Sequence, residues 1–261
     1  MKISLIQLRV SDEESAATRW IRVERYLKQL QEEAPDLVLL PELWGVGFAN
    51  DAAYADAAEP LQGTTVLRLA VWARRLHCDI LTGSFVECAA DGLYNTMALL
   101  DANGFIKGTY RKIHLFGYDA GERRHLTAGR KTTEIFTPYG IVGLATCYDL
   151  RFPEQFRRMV DNGATIFAVS AAWPKKRLEE WRLFCRVRAL ENQSFLLACN
   201  HAGECAGAVG AGHSMIVAPD GKILAEAGEE EQILTAEIDL NEAQRFRSKF
   251  PALRDRVRIE P

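Results

Sequence analysis

Three side chains in this sequence could act together on a carbonyl carbon: Glu42, Lys112 and Cys147. A thiol can attack as nucleophile, a carboxylate can take its proton, and an ammonium can stabilise the oxyanion that forms. They lie far apart along the chain, so only the fold can unite them. Each has the same local context, the end of a short strand-like run. Cys147 follows Gly140-Ile141-Val142-Gly143-Leu144-Ala145-Thr146 and precedes Tyr148-Asp149-Leu150-Arg151-Phe152-Pro153-Glu154. The run suits a strand buried on both faces. Pro153 and Glu154 mark a helix start, with proline at the first position and acid in the first turn. A cysteine at that junction is held firmly and can reach a cleft, and the helix N-terminus favours its thiolate. The other reading is a small buried core cysteine. The sharp turn and the polar residues after it weigh against that. The backbone N–H of Tyr148 is placed to be a second oxyanion donor.

Glu42 follows Leu37-Val38-Leu39-Leu40 and a strand-ending Pro41. Most glutamates are solvated surface residues, but few stand directly after such a run. Lys112 lies between bulky residues in Tyr110-Arg111-Lys112-Ile113-His114-Leu115-Phe116. A snorkelling surface lysine is the alternative there. Open α/β sheets place their crevices at strand ends, which gives the three groups one address. Glu42 would take the thiol proton, pass it to a leaving ammonia and then activate water. A Cys147–His114 pair is the competing arrangement. No G-x-S-x-G elbow is present. Gly207-Ala208-Val209-Gly210-Ala211-Gly212 imitates a phosphate loop but lacks the preceding strand and the Lys-Ser/Thr ending.

The elements that must position these residues alternate between strand and helix. Strands are expected at Ile3 to Leu8, Leu37 to Leu40, Asp79 to Val86, Ala164 to Ala171 and Phe195 to Cys199. Residues 13–34 carry a helical stripe of Trp20, Val23, Leu27, Leu30 and Ala34. Thr64 or Thr65 should cap a second helix. A hairpin is expected around Asp101-Ala102-Asn103-Gly104. Residues 117–133 read as a long polar loop of the kind that is often functional. A helix of about fifteen residues should carry Trp181 and Phe184. Residues 201–212 read as a flexible connection. Ser214 to Val217, Ile223 to Ala225 and Ile233 to Ile238 read as a closing antiparallel set, and the tail from Leu240 should wrap the domain or a partner. With no linker or short repeat, residues 1–261 are expected to form a single α/β domain.

Composition narrows the function class. Hydrophobic residues make up 48% and charged residues 26%, an ordinary globular balance. A formal charge of −3 gives no reason to expect nucleic acid or an anionic membrane as partner. No apolar run reaches the roughly 18–20 residues that span a bilayer. Met1 to Gln7 reads as a first strand, without the features of a signal peptide. The six cysteines form no C-x-x-C and no zinc spacing, so no metal is expected. They suggest reduced thiols in the cytosol.

Taken together, Leu40-Pro41-Glu42-Leu43-Trp44, Tyr110 to Phe116 and Cys147 to Glu154 resemble the nitrilase superfamily of carbon–nitrogen hydrolases. Arg188-Ala189-Leu190-Glu191-Asn192-Gln193 and Gly212-His213-Ser214 extend the resemblance over nearly the whole chain. It implies a four-layer α-β-β-α sandwich, a Glu–Lys–Cys triad, no metal or organic cofactor, and a homodimer formed through the Cys-bearing region. It also implies a second glutamate before the nucleophile strand, and Glu122 matches its place; a solvated loop acid is the other reading. Within the superfamily the chain looks most like the small omega-amidase-like branch, which acts on terminal amides of short 2-oxo acids. The nitrile-hydrolysing branch is usually longer and differs around its cysteine. Trp173-Pro174 follows a strand whose end should face the same cleft, so Trp173 is expected either to line the substrate pocket or to fill the core. Arg151 could meet a substrate carboxylate or serve a structural ion pair. The alternatives in function are an N-carbamoyl-amine hydrolase and a catalytically silent binding or scaffold protein. Silent relatives would be expected to lose a triad member.

Overall fold

Period-two burial divides the strand residues between two faces of each sheet. The computed structural model describes residues 1–117 and 121–257. In chain order the strands are β1 (Lys2–Gln7), β2 (Leu37–Leu39), β3 (Asp79–Ala89), β4 (Gly92–Leu100), β5 (Ile106–Arg111), β6 (Thr133–Thr137), β7 (Gly140–Thr146), β8 (Ile166–Ala171), β9 (Phe195–Asn200), β10 (Glu204–Cys205), β11 (Ala208–Val209), β12 (Met215–Val217), β13 (Ile223–Glu226) and β14 (Gln232–Glu237). The α-helices are α1 (Ala16–Glu33), α2 (Thr64–Leu76), α3 (Glu122–His125), α4 (Pro153–Asp161), α5 (Leu178–Asn192) and α6 (Asn241–Lys249).

Two six-stranded mixed sheets result, ordered β14-β1-β2-β3-β4-β5 and β13-β12-β9-β8-β7-β6. In the first sheet β1, β2 and β3 run parallel; in the second β7, β8 and β9 do. Ile3 and Leu5 of β1 point between the sheets, against residues such as Val142, Leu144 and Leu197. Ile6 of β1 points the other way, into a core with Trp20, Val23 and Leu27 of α1 and Val66 and Leu69 of α2. In the second sheet Phe167 and Val169 meet Phe156 and Met159 of α4 and Trp181 and Cys185 of α5. The layers are therefore α-β-β-α, the predicted sandwich.

Several boundaries differ from the sequence reading. Ala34 does not extend the α1 stripe; it caps the helix in the left-handed region (φ 46°), its N–H donating to Leu30 O. Neither threonine caps α2. Gly63 is the N-cap, and the Thr65 N–H donates to Glu59 Oε2 at 2.9 Å. Residues 201–212 are no loose connection. They contain the β10–β11 hairpin, whose Cys205 thiol donates to Asp12 Oδ1 and whose flank is tied by Ala211 N–H to Trp173 O. Ile233 to Ile238 do not join the β12–β13 pair: β14 crosses to the other sheet and pairs antiparallel with β1. The polar loop 117–133 holds the short helix α3; its residues 118–120 lie outside the described residues. The tail folds back on its own chain through Gln193 Nε2 to Phe250 O and Arg247 to Gln193 O; residues 258–261 lie outside the described residues.

The two sheets meet where β2 and β8 end. Ser170 Oγ donates to Leu40 O at 2.9 Å, and the Glu42 N–H donates to Ala171 O at 3.3 Å. A break in the β3–β4 register between Leu81 and Ser84 lets the chain after β2 pass alongside. Gly83 is required there, at φ 67°, because a Cβ would lie 2.3 Å from Pro41 O.

Candidate active site

Strand ends deliver the reactive groups. Glu42 lies just past β2, Lys112 one residue past β5, and Cys147 directly after β7. Glu122 opens α3 from the loop between β5 and β6. All four side chains converge. Lys112 Nζ donates to Glu42 Oε1 at 2.8 Å and to Glu122 Oε2 at 2.6 Å, and none of the three side chains is exposed. The Ala172 N–H, at the end of β8, donates to Glu42 Oε2 at 2.9 Å. The Phe116 N–H donates to Glu122 Oε2 at 2.9 Å, so Glu122 is a built-in partner of the cluster and not a solvated loop acid.

Cys147 is 7% exposed and opens into a cleft of 280 Å³. Its backbone sits in the left-handed region at φ 46°, as does Leu43 beside Glu42 at φ 44°. Such conformations cost on the order of 1–3 kcal/mol in non-glycine residues and persist only where neighbours over-determine them. Asp149 does this for Cys147. Its buried carboxylate accepts from Thr146 N–H at 2.8 Å, from Tyr110 Oη at 2.6 Å and from His114 N–H at 3.1 Å. Its Oδ1 also meets His114 Nδ1 at 2.7 Å, and the imidazole stacks on Phe152. His114 is thus engaged with Asp149, against the Cys147–His114 pairing.

Burial pushes the Cys147 thiol well above its ordinary range; Glu42 adds to this and Lys112 opposes it. The expected lowering by a helix N-terminus is overruled. A 3-10 turn over Cys147–Arg151 separates the sulfur from α4, and desolvation dominates. Glu42 is also pushed up by burial, against the pull of Lys112. For Lys112 burial acts downward, but the charges of Glu122 and Glu42 outweigh it and hold the ammonium charged. The resting thiol therefore keeps its proton and needs a base. Transfer from sulfur to Glu42 moves a charge within the cluster without creating one.

Tyr148 and Trp173 both line the cleft. The Tyr148 ring packs edge-on against Phe116 and Phe152. Its N–H is the second of the 3-10 turn Cys147–Arg151, within the first turn, where intrahelical partners are lacking. Trp173 satisfies both readings of it: it borders the cleft and also belongs to the core with Trp181 and Phe184. Its indole N–H donates to Arg177 O. Arg151, Lys176 and Arg177 also line the cleft, and among the described residues no lining residue is acidic. The Arg151 guanidinium lies 5.0 Å from the Trp173 and Phe184 ring centres. Among the described residues no His, Cys, Asp and Glu group of three or more could hold a metal ion. No helix among them is long and apolar enough to cross a membrane.

The sequence reading missed Asn95 and Asp149. Asn95 Nδ2 donates to Glu42 Oε1 at 2.9 Å and to Glu122 Oε1 at 2.7 Å. A signal existed: Asn95 and Thr96 are polar residues inside the apolar β4 run, and both are buried. Buried polar groups in a strand require partners, which directs attention to what they face.

The chain is 34% identical over 264 residues to a 2-oxoglutaramate amidase of Paenarthrobacter nicotinovorans, covering 98% of this chain and 89% of that protein. It is 36% identical over 237 residues to a 2-oxoglutaramate amidase of Bacillus subtilis, covering 90% of each. The structure is similar to that of Saccharomyces cerevisiae Nit3, a member of branch 10 of the nitrilase superfamily. That match has a TM-score of 0.86 and 30% identity, and covers 96% of this chain and 94% of that one. The carbon-nitrogen hydrolase family model matches residues 2–248. By sequence, fold and the convergence of four strand-end and loop residues, the chain belongs to the carbon–nitrogen hydrolase family.

Proposed function

We propose that this hydrolase cleaves the terminal carboxamide of a small carboxylic acid to a carboxylate and ammonia, through a thioester on Cys147. The observation that carries the reading is a nucleophile in the cleft wall with a fully buried Glu–Lys–Glu cluster behind it. Glu42 takes the thiol proton as sulfur attacks the carbonyl carbon. Lys112 and the Tyr148 N–H stabilise the oxyanion. The C–N bond breaks as Glu42 returns the proton to nitrogen, and ammonia leaves. Water then attacks the thioester while Glu42 takes its proton. The C–S bond breaks as Glu42 passes that proton to sulfur, and the thiol is restored. Glu122 holds Lys112 charged and in place.

The basic residues Arg151, Lys176 and Arg177 favour a substrate that carries a carboxylate at its far end. This supports an omega-amidase-like role on short 2-oxo acid amides, in line with what the relatives' names describe. Hydroxylamine tests the chemistry. Added to a short anionic ω-amide, it should compete with water for the thioester and give hydroxamate beside free acid. An active enzyme that forms only acid, under conditions where it stays folded, would make direct water attack the better mechanism. Ammonia without carbon dioxide separates this reaction from carbamoyl-amine cleavage.

The six cysteines are free, which supports a reducing, cytoplasmic setting. A homodimer is also expected. Helix α5 leaves Leu183 and Leu190 exposed, apolar surface that a second copy would cover. Sedimentation at micromolar concentration should report about twice 29.2 kDa. A fully active monomer would overturn this.

A further inference from the structure

Asn95 is an uncharged side chain lodged among charged ones. It is 1% exposed, and its backbone is fixed by pairing with Val86 and by the Lys112 N–H donating to its carbonyl at 2.8 Å. Its amide nitrogen donates to Glu42 Oε1 at 2.9 Å and to Glu122 Oε1 at 2.7 Å. The amide cannot be turned over, because its oxygen would then face two carboxylate oxygens at those distances. Lys112 Nζ reaches Glu42 at the same Oε1, at 2.8 Å. A carboxylate oxygen has two lone-pair directions, and two donors fill those of Oε1. Glu42 Oε2 accepts from the Ala172 N–H. With that one donor among the described residues, Oε2 is the oxygen of Glu42 that keeps a lone-pair direction for the thiol proton.

We propose that Asn95 is a positioning residue: with Lys112 it saturates Glu42 Oε1 and so directs the Cys147 proton to Oε2. This rests on the reading of Glu42 as the base. In the step the S–H bond breaks and an O–H bond forms on Oε2. That O–H bond then breaks as the proton passes to the departing nitrogen. By donating to Glu42, Asn95 also favours its ionised form. The titratable and charged groups around Glu42 are Lys112 at the end of β5, Glu122 on α3 and Cys147 after β7. Tyr54, in the segment before α2, feels the charge of both carboxylates, and its hydroxyl donates to Phe48 O. A change at Asn95 leaves all of these side chains in the sequence, but it takes one donor from Glu122 Oε1 as well as one from Glu42 Oε1.

The test is the pH dependence of kcat/KM for Asn95→Ala and the isosteric Asn95→Asp, with circular dichroism as the check on folding. Hydroxamate formation by the wild-type chain tests the thioester reading on its own, so failure of that reading is seen before any variant is compared. Both variants should lose about 10- to 100-fold in kcat with KM little changed. The acid limb, which reports the free enzyme's base, should move up by about one pH unit, because a carboxylate has lost a hydrogen bond to its charged form. Asn95→Asp should move it further, since it adds an acid where a donor stood. A folded variant whose acid limb stays in place would overturn the proposal. So would failure of both variants to fold, which would mark Asn95 as a structural strut.

Discussion

Alanine at position 147 should leave a folded chain that releases ammonia from short ω-amides at less than about a hundredth of the wild-type rate. The substitution deletes one sulfur from a side chain that is already 7% exposed, and leaves Glu42, Lys112, Glu122 and Asn95 in contact with one another. What it removes is the covalent route. Residual rate could come only from water directed by Glu42 with the oxyanion donors intact. The control is Cys88→Ala. Cys88 is the exposed cysteine, far along β3, and its loss should leave activity unchanged. Because Cys88 is accessible and the Cys147 thiol is held protonated, alkylation alone does not identify the nucleophile; turnover does. Activity in the Cys147 variant above that threshold would remove the thioester from the mechanism.

The strand-end logic was legible because it rests on local pattern. Leu37 to Leu40, Gly140 to Thr146 and Ala164 to Ala171 each carry a buried apolar run that stops abruptly, and the structure ends strands within a residue or two of each stop. Long-range pairing was not legible. Nothing local in Ile233 to Ile238 says that it returns to β1, more than two hundred residues away, instead of continuing the β12–β13 pair. The α2 cap was missed because a threonine and a glycine compete for adjacent positions. Glu59, six residues before Thr65, satisfies the first-turn N–H that a threonine hydroxyl would otherwise have taken.

The same division runs through the site. Glu42, Lys112 and Cys147 could be picked out as reactive types in odd contexts. Asn95 and Asp149 could not be assigned partners, since their partners come from other strands and loops. The balance that sets the Cys147 thiol was not legible for a related reason. A helix N-terminus is visible in sequence through Pro153, whereas the depth of burial that outweighs it is a property of two packed sheets.

Replacing Lys112 with methionine should do more than stop catalysis. The side chain has similar length and fits the same buried site, but the ammonium between Glu42 and Glu122 is gone. Two carboxylates would then share a space without a counter-charge, a change that typically costs about 3–5 kcal/mol. Total stabilities are about 5–15 kcal/mol, so the loss would be easily measured in urea. Its pH dependence identifies the cause. In the variant the Glu42 carboxyl, already pushed up by burial, loses the opposing pull of Lys112 and titrates still higher in the folded chain than in the unfolded one. A raised carboxyl favours the folded state below the unfolded pKa of about 4.3, and that advantage is lost as pH rises through the folded value. The deficit relative to wild type should therefore be smallest near pH 4–5 and complete by about pH 8. The wild-type lysine behaves differently: its pKa is raised, so its contribution is present throughout this range and fades only at strongly alkaline pH. A variant whose deficit is the same at both ends has lost packing and nothing more. A variant as stable as wild type at pH 8 would mean that the two glutamates do not both carry charge, and the ionised cluster on which the proposed proton transfer depends would fall with it.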